Sequence, residues 1–332
     1  MSQKIPAHPS RSRFRQSGLC AAGLALAAAM LVVTRGLAQA PAPTGTLRFL
    51  VVGDWGRQGS FHQRETAEQM GKTASAVGDQ FVVATGDNIY DDGVDSVHDS
   101  LWKKSFEDIY TAPSLQIPWY VALGNHDYHT NPQAEVEYTL FSPRWKMPDR
   151  YYTVTLQVTA EISAEFFITD TSPFITSYYT EPKYAKVKEV DPKAQLAWLE
   201  KQLAASKAQW KFVVGHHTIY SSGTKHGDSL DLIKTFKPLM EKYGVQAYIN
   251  GHDHDMEAIH EGQIFYLTSG AGSEVRGELK REANSLFANG TSSGYMSVAL
   301  TAESFDYQFI DWQGKVLFQA KFPRVPTATG VK

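Results

Sequence analysis

The sequence predicts an α/β fold built around a mostly parallel β-sheet. Five short runs rich in Val, Ile, Phe and Tyr are hydrophobic throughout instead of alternating, which is typical of strands buried on both faces of such a sheet. Segments predicted to be helical separate the first three of these runs. This β-α-β-α-β order favours parallel pairing through right-handed crossovers. Each run ends in glycine, and the runs are residues 49–53, 81–86, 120–124, 212–215 and 247–251.

The first half of the chain alternates strands and helices. After the strand that ends at Gly53, residues 62–77 are predicted to form a helix because their apolar residues recur at helical spacing. A second strand ends at Gly86 and is followed by a loop dense in Asp. Residues 100–110 are predicted to form a helix and residues 119–123 the third strand.

The second half begins with a predicted hairpin, because the strand-like stretches 151–158 and 164–168 are joined by a short polar connection. Asp191 is a predicted N-cap, with Pro192 at the first helical position of a helix over 191–205. Further predicted elements are a strand to Gly215, a helix over 228–243, a strand to Gly251 and strands over 264–267, 294–300, 304–311 and 315–321. No repeat or linker divides residues 41–332, so these residues are predicted to form one domain.

Residues 1–40 have the pattern of a signal peptide. A basic start precedes the apolar stretch 19–33, and Ala38-Gln39-Ala40 matches an A-x-A cleavage site. The apolar stretch is shorter than the about 20 residues that span a bilayer. We therefore expect export to the periplasm or the medium, without stable membrane insertion after cleavage. An uncleaved anchor is the alternative, because Pro41 is a poor context for a signal peptidase.

Charge and cysteine content exclude several classes of function. Without the five basic residues of segment 1–40, 27 basic and 35 acidic residues remain, a formal net charge of −8. A chain of this charge has no general attraction for a polyanion, so nucleic acid is not an expected partner. The single cysteine, Cys20, lies in the targeting segment, so no disulfide, thiolate metal site or cysteine nucleophile is expected in the exported chain.

The residue after each of the five glycines is of a type that binds metal ions. Ligands bind outside the carboxyl ends of strands in parallel sheets, so five such residues at one edge would build a site for more than one metal ion. Taken singly, each pattern is weak, because such an Asp is more often a turn or N-cap residue and a buried His is more often structural. The five residues are Asp54, Asp87, Asn125, His216 and His252.

Five sequence blocks around these residues carry a family resemblance. They are Gly53-Asp54-Trp55-Gly56, Gly86-Asp87-Asn88-Ile89-Tyr90, Gly124-Asn125-His126-Asp127, Val213-Val214-Gly215-His216 and Gly251-His252-Asp253-His254. In this order they resemble the calcineurin-like metallophosphoesterases and, within them, the purple acid phosphatases of the small, single-domain, tartrate-resistant type. The resemblance implies a four-layer α/β/β/α sandwich of two mixed β-sheets flanked by helices.

The resemblance also implies a binuclear centre of Fe(III) and a divalent metal, which would be Fe, Zn or Mn. Asp54, Tyr90 and His254 would bind the first metal, and Asp87 would bridge the two. The ligands of the second metal would be Asn125, His216 and His252. Hard anionic oxygen donors favour a trivalent ion, whereas a neutral amide and two imidazoles suit a divalent one. A Tyr90 phenolate on Fe(III) should colour the protein violet.

Two further histidines, His126 and His226, match the family's histidines near the leaving group and the phosphoryl oxygens. Either could hydrogen-bond the phosphoryl group or protonate the leaving alkoxide at mildly acidic pH. His217 is predicted to be a non-ligand, because its side chain points away from that of its neighbour His216 on a strand end. The remaining histidines considered, His62, His98, His129 and His260, are predicted to be surface or structural residues.

The implied function is an exported acid phosphatase. It would hydrolyse phosphomonoesters by direct attack of a metal-bound hydroxide, with inversion at phosphorus, and its partners would be a small phosphorylated substrate and phosphate. One alternative is a phosphodiesterase or nucleotide pyrophosphohydrolase on the same fold. Another is a non-catalytic phosphate-binding or envelope protein, which would be expected to lack at least one of the seven ligands.

Overall fold

The computed structural model describes residues 45–281 and 283–324, all of which belong to one compact unit spanning Ala42–Lys332. Fourteen strands occur in the described residues. They are β1 (Thr46–Val52), β2 (Phe81–Ala84), β3 (Trp119–Val121), β4 (Trp145–Lys146), β5 (Tyr152–Gln157), β6 (Ser163–Ile168), β7 (Trp210–Val214), β8 (Ala247–Asn250), β9 (Met256–Glu261), β10 (Ile264–Ser269), β11 (Ser285–Asn289), β12 (Gly294–Thr301), β13 (Ser304–Asp311) and β14 (Val316–Pro323).

Helices and helical turns connect these strands. The α-helices are α1 (Gln63–Val77), α2 (Ser100–Trp102), α3 (Pro132–Glu137), α4 (Pro192–Ala205), α5 (Leu230–Thr235) and α6 (Lys237–Lys242). A π-helical turn, Lys103–Glu107, continues α2. The 3₁₀ turns are Pro113–Leu115, Tyr138–Leu140, Ser172–Phe174, Thr176–Thr180 and Pro182–Glu189.

The strands form two mixed seven-stranded sheets. In the first sheet β1, β2, β3 and β4 run parallel, and β12, β13 and β14 extend it on the other side of β1 by antiparallel pairing. In the second sheet β6, β7, β8 and β10 are parallel. The antiparallel strand β5 closes one side of this sheet, and β9 with β11 closes the other.

The two sheets face each other, and helices cover their outer faces. Between the sheets, the rings of Phe49 on β1 and Phe166 on β6 pack edge to face with centroids 5.4 Å apart. On the outer face of the first sheet, Thr73 of α1 lies 2.6 Å from the hydroxyl of Tyr295 on β12. Apolar side chains of α4, α5 and α6, including Leu199, pack on the outer face of the second sheet. This arrangement confirms the predicted four-layer α/β/β/α class.

Several predicted elements agree closely with the structure. The helix expected over 62–77 is α1, and the hairpin expected from 151 to 168 is formed by β5 and β6. The predicted N-cap of α4 is also present, because the carboxylate of Asp191 accepts a hydrogen bond from the amide of Lys193 at 2.9 Å. Local spacing and capping chemistry were therefore sufficient to locate these elements.

Two predicted helices are wrong in extent. The helix expected over 228–243 begins at Leu230, capped by Ser229, and is interrupted at Phe236 between α5 and α6. Pro238 explains the interruption, because a proline lacks the N–H and displaces the backbone of the preceding turn. The helix expected over 100–110 has only one α-helical turn before the π-helical turn. The strands β4, β9 and β11 were not predicted.

The apolar runs alone predicted that the five glycine-terminated strands belong to one sheet, but the strands are divided between two sheets. β1, β2 and β3 lie in the first sheet, whereas β7 and β8 lie in the second. The prediction is wrong because a buried strand has the same composition in either sheet. The carboxyl ends nevertheless meet, since the amide of Gly53 after β1 donates to the carbonyl of Ser269 in β10 at 2.8 Å.

Among residues 45–281 and 283–324, no helix has the length and apolar character needed to cross a bilayer. The predicted signal peptide, residues 1–40, lies outside the described residues.

Candidate metal centre

Three of the residues that follow the strand-end glycines have a left-handed backbone. The φ angles are 58° at Asp54, 47° at Asp87 and 73° at His252. This conformation is uncommon for residues other than glycine and tends to occur at functional sites. At each of these three strand ends the polar residue itself therefore has the backbone conformation that makes the tight turn. Before Asp87 the glycine takes part as well, since Gly86 has a φ of 92°.

The glycines matter chiefly because they allow close approach. A Cβ atom on Gly124 would lie 2.1 Å from the backbone nitrogen of Asp87, and one on Gly251 would lie 2.4 Å from Oδ2 of Asp54. Neither position has room for any side chain. The strand ends can thus bring their polar residues together only with glycine at these positions.

The first group of polar side chains surrounds the hydroxyl of Tyr90. This oxygen lies 3.0 Å from Oδ1 of Asp54, 2.9 Å from Oδ2 of Asp87 and 3.0 Å from Nε2 of His254. One atom from each of Asp54, Asp87 and His254 lies within 4.8 Å of the others, a spacing that could hold a metal ion. All four residues are buried. The guanidinium of Arg57 stacks on the Tyr90 ring at 3.7 Å.

The second group surrounds Nε2 of His216. This nitrogen lies 3.1 Å from Oδ1 of Asn125, 3.2 Å from Nδ1 of His252 and 3.3 Å from Oδ1 of Asp87. Nδ1 of His216 faces the carbonyl of Thr85 at 2.9 Å, so Nδ1 carries a proton and Nε2 is free to act as a ligand. Two nitrogens at about 2.0–2.1 Å from one zinc-like ion are about 3.2–3.4 Å apart, which matches the two imidazoles.

Asp87 connects the two groups. Its Oδ2 faces Tyr90 in the first group, and its Oδ1 faces His216 in the second. All seven residues predicted as metal ligands are therefore together at the carboxyl ends of the strands. Two clusters of donors joined by one carboxylate suit two neighbouring cations.

The buried charges favour cation binding. Burial and the neighbouring Asp87 raise the pKa of Asp54 well above its ordinary value. Burial opposes ionisation of Asp87 too, but the positive charges of His216 and His126 hold its pKa well below the ordinary value. The carboxylates raise the pKa of His216 to about 9 against the effect of burial. Bound metal cations would replace the extra proton that His216 otherwise holds. They would also replace the proton of the Tyr90 hydroxyl, whose pKa is raised by burial.

Comparison with known proteins is consistent with this donor set. Residues 47–256 match the calcineurin-like phosphoesterase family. The chain is 40% identical over 290 residues to purple acid phosphatase 17 of Arabidopsis thaliana, an alignment that covers 82% of this chain and 83% of that protein. It is 33% identical over 304 residues to the human tartrate-resistant acid phosphatase type 5, covering 85% and 92%.

The chain belongs to the purple acid phosphatases.

Solved structures agree on the fold. The chain superposes on GAP50, described as the anchor in the inner membrane complex of Plasmodium, with a TM-score of 0.73 and 28% identity, covering 86% of this chain and 90% of that one. Purple acid phosphatase PPD1 from yellow lupin seeds gives a TM-score of 0.64 at 18% identity, covering 86% and 55%. Family membership confirms the predicted acid phosphatase, a phosphoric monoester hydrolase, and implies a binuclear metal centre.

The two predicted catalytic histidines both line a cleft in this phosphatase. The cleft has a volume of about 270 Å³. The amide of His126 donates to Oδ1 of Asp87 at 2.8 Å, and its ring Nε2 lies 3.9 Å from Oδ2 of the same carboxylate. His226 pairs through Nδ1 with Asp253 at 2.9 Å, and its ring stacks on that of His252 with centroids 4.1 Å apart. Both imidazoles are therefore beside the ligand groups.

His217 is placed as a structural residue. Its Nδ1 lies 2.8 Å from the hydroxyl of Thr171 and its Nε2 lies 2.9 Å from the hydroxyl of Tyr178. Both ring nitrogens are thus engaged by hydroxyl groups, and neither faces the ligand clusters.

The other four histidines in the described part of the chain contact neighbouring side chains. His62 stacks on Trp312, His260 stacks on Phe265, and His98 meets the ring of Phe141 edge to face. His129 is closer to the centre than the sequence predicted, because its ring lies 4.8 Å from that of His126.

Sequence reasoning missed several residues of the cleft. The hydroxyl of Tyr184 accepts a hydrogen bond from Nδ2 of Asn125 at 3.2 Å, which leaves Oδ1 of Asn125 directed at His216. Tyr178 stacks on Tyr184 with centroids 3.8 Å apart. Neither tyrosine belongs to a motif or a periodic stripe, so no sequence signal marked them. The basic residues Lys183, Lys225 and Arg276, which also line the cleft, were missed for the same reason.

Proposed function

We propose that this chain is a binuclear-metal acid phosphatase that hydrolyses small phosphomonoesters at the centre described above. Asp54, Tyr90 and His254 would hold one metal ion, and Asp87 would bridge to the second. The remaining ligands of the second ion would be Asn125, His216 and His252. The observation that carries this assignment is that the two oxygens of Asp87 face two separate groups of donors.

We further propose Fe(III) beside Tyr90 and a divalent ion, Fe, Zn or Mn, beside the two imidazoles. Two carboxylates and a phenol are hard oxygen donors, which favour a trivalent cation. Burial raises the pKa of Tyr90 well above its ordinary value, so only a strongly charged cation would convert this phenol to phenolate.

The bound metal pair would supply an activated water as nucleophile and positive charge opposite the phosphoryl oxygens. The protein's own contribution is to position and protonate. The ring of His226 is oriented by Asp253, and the ring of His126 by the carbonyl of Asp91, which its Nδ1 faces at 2.5 Å. Protonated imidazoles at these positions would donate hydrogen bonds to the phosphoryl group, and one would protonate the leaving alkoxide.

Metal analysis with a visible spectrum tests the centre. The wild type should contain two metal ions, at least one of them iron, and should absorb in the visible range through phenolate-to-iron charge transfer. Tyr90→Phe should abolish this band. A colourless wild type that holds two zinc ions and is indifferent to Tyr90→Phe would exclude the iron assignment while leaving the phosphoesterase function intact.

Activity measurements test the reaction. The enzyme should hydrolyse 4-nitrophenyl phosphate faster than bis(4-nitrophenyl) phosphate, and the reverse order would favour the phosphodiesterase alternative. Transfer to water without a protein nucleophile predicts inversion at phosphorus, so retention with isotopically chiral phosphate would contradict the mechanism.

The fold alone does not require catalysis, since GAP50 is described as an anchor. The catalytic reading is supported by the retention of all seven donors in this chain, whereas a purely structural role would not require them. We also propose that the protein is exported to the periplasm or the medium, on the pattern of residues 1–40. Fractionation of the producing cells, with amino-terminal sequencing of the product, tests this assignment.

A further inference from the structure

A second cavity adjoins the catalytic cleft. Its volume is about 460 Å³, compared with about 270 Å³ for the cleft that contains the metal-ligand residues. The two cavities share three lining residues, Lys225, His254 and Arg276. A substrate bound at the metal centre could therefore extend past these residues into the second cavity.

Arg276 and Lys225 are positive charges at this shared wall. The amide of Arg276 donates to the carbonyl of the predicted ligand His254 at 3.0 Å, which ties the arginine to the metal centre. Lys225 directly precedes the cleft residue His226. Both side chains line the same two cavities, and burial and then the charge of Arg276 lower the pKa of Lys225.

These two cations have no acidic partner within ion-pair distance among residues 45–281 and 283–324. The carboxyl groups of Asp253, Asp255 and Glu278 also line the second cavity. Burial raises the pKa of Asp255 well above its ordinary value, and Glu278 accepts a hydrogen bond from the hydroxyl of Thr224 at 3.4 Å. Glu274 pairs with Arg57 at 2.8 Å, and Asp253 pairs with His226 at 2.9 Å. Two unpaired cations side by side repel each other, and an anion bound between them would offset that repulsion. The feature is notable in a chain with a net charge of −3.

We propose that the wall shared by the two cavities is a subsite for a second phosphate group, so that the preferred substrates are small phosphate compounds that carry two phosphate groups. The phosphate to be hydrolysed would lie at the metal centre, and Arg276 with Lys225 would bind the other. A guanidinium can hold phosphate oxygens through two parallel hydrogen bonds, and an ammonium adds a point charge. Because it serves the same hydrolysis, this subsite rests on the proposed function.

Matched substrate pairs test the subsite in the metal-loaded enzyme. Glucose 1,6-bisphosphate against glucose 6-phosphate tests a second phosphate separated by a sugar ring. ADP against AMP tests one linked directly, with cleavage of the phosphoanhydride bond in ADP and of the ester bond in AMP. The readout is the ratio of kcat/KM for the two-phosphate substrate to that for its one-phosphate partner. Within each pair, comparing this ratio between wild type and variant cancels the intrinsic reactivity of the substrates.

Arg276→Gln should lower the ratio about tenfold in at least one pair, since a hydrogen bond between charged groups is lost. Adding Lys225→Gln should lower it further. Lys193→Gln is the matched control, because this exposed lysine of α4 lines neither cavity and its loss removes the same charge. In the wild type, added salt should reduce the preference for the second phosphate, which provides a measurement independent of any variant.

An unchanged ratio in Arg276→Gln and in the double variant, for both pairs, would overturn the subsite. So would a wild-type preference that is insensitive to salt. Both results leave the phosphatase function standing, because the one-phosphate substrates are still hydrolysed. A metal-loaded wild type that hydrolyses none of the four substrates would instead overturn the proposed function and the subsite with it.

Discussion

Tyr184→Phe removes the hydroxyl that orients a predicted ligand of the second metal. This hydroxyl accepts a hydrogen bond from Nδ2 of Asn125 at 3.2 Å, and the two residues are 4% and 5% exposed. A buried donor left without a partner costs about 1–3 kcal/mol. When the second metal is bound, the side-chain amide of Asn125 is held in one orientation and cannot turn to find another partner. The cost should therefore appear as weaker metal binding. Every 1.4 kcal/mol is a factor of about ten, and we therefore expect the second metal to bind about 10–100-fold more weakly.

The assay is retention of metal during titration with a chelator, followed by metal analysis and the visible spectrum. Tyr184→Phe should lose one metal ion at lower chelator concentration than the wild type, while the charge-transfer band of Tyr90 persists. Tyr179→Phe is the control, since it removes a comparable hydroxyl bond, to the carbonyl of Pro173 at 2.9 Å, from the neighbouring 3₁₀ turn Thr176–Thr180. Equal retention in the two variants, or joint loss of both metals and the band in Tyr184→Phe, would refute the reasoning.

Three further predictions concern stability. Phe49→Ala, which removes a fully buried ring between the sheets, should lower the free energy of unfolding by about 3–5 kcal/mol in a urea titration, and a loss below 1 kcal/mol would contradict the packing. Gly124→Ala should cost about 3 kcal/mol or more and reduce metal loading, because its Cβ would lie 2.1 Å from the amide nitrogen of Asp87; a fully loaded variant would contradict this. Burial raises the pKa of Asp79 from 3.8 to about 7. Between these pH values the folded chain keeps the proton of Asp79 whereas the unfolded chain has lost it, so the free energy of unfolding falls as the pH rises. Asp79→Asn should gain on the order of 2–4 kcal/mol relative to the wild type across that interval, and parallel pH profiles would disprove the shift.

Much of the fold could be predicted because its signals are local. Apolar runs of a few residues marked β1, β2, β3, β7 and β8, and the spacing of Ala67, Met70 and Ala74 marked α1. Assignment of strands to sheets could not be predicted in this way. The amide of His252 donates to Oδ2 of Asp54 at 2.9 Å across 198 positions of sequence, and no short-range pattern encodes a contact of that separation.

The candidate site divides along the same line. Its donors follow glycines in recognisable blocks, so the seven donor residues could be named from the sequence. The residues that orient those donors or border the cleft, such as Tyr184 and Arg276, come from segments without a motif. These residues reach the site only because the 3₁₀ segment Pro182–Glu189 and the loop after β10 pack beside it in the folded chain.

The sequence by itself determined which donor atoms this protein can present and at which strand ends, because side-chain chemistry and the glycine requirement are properties of single positions. Only the tertiary structure decided that these ends come from two facing sheets and that Asp87 directs one oxygen to each group of donors. It also placed two unpaired cations beside the cleft. The physical reason is that distances between side chains remote in sequence are set by how the sheets and loops pack together, which no local pattern records.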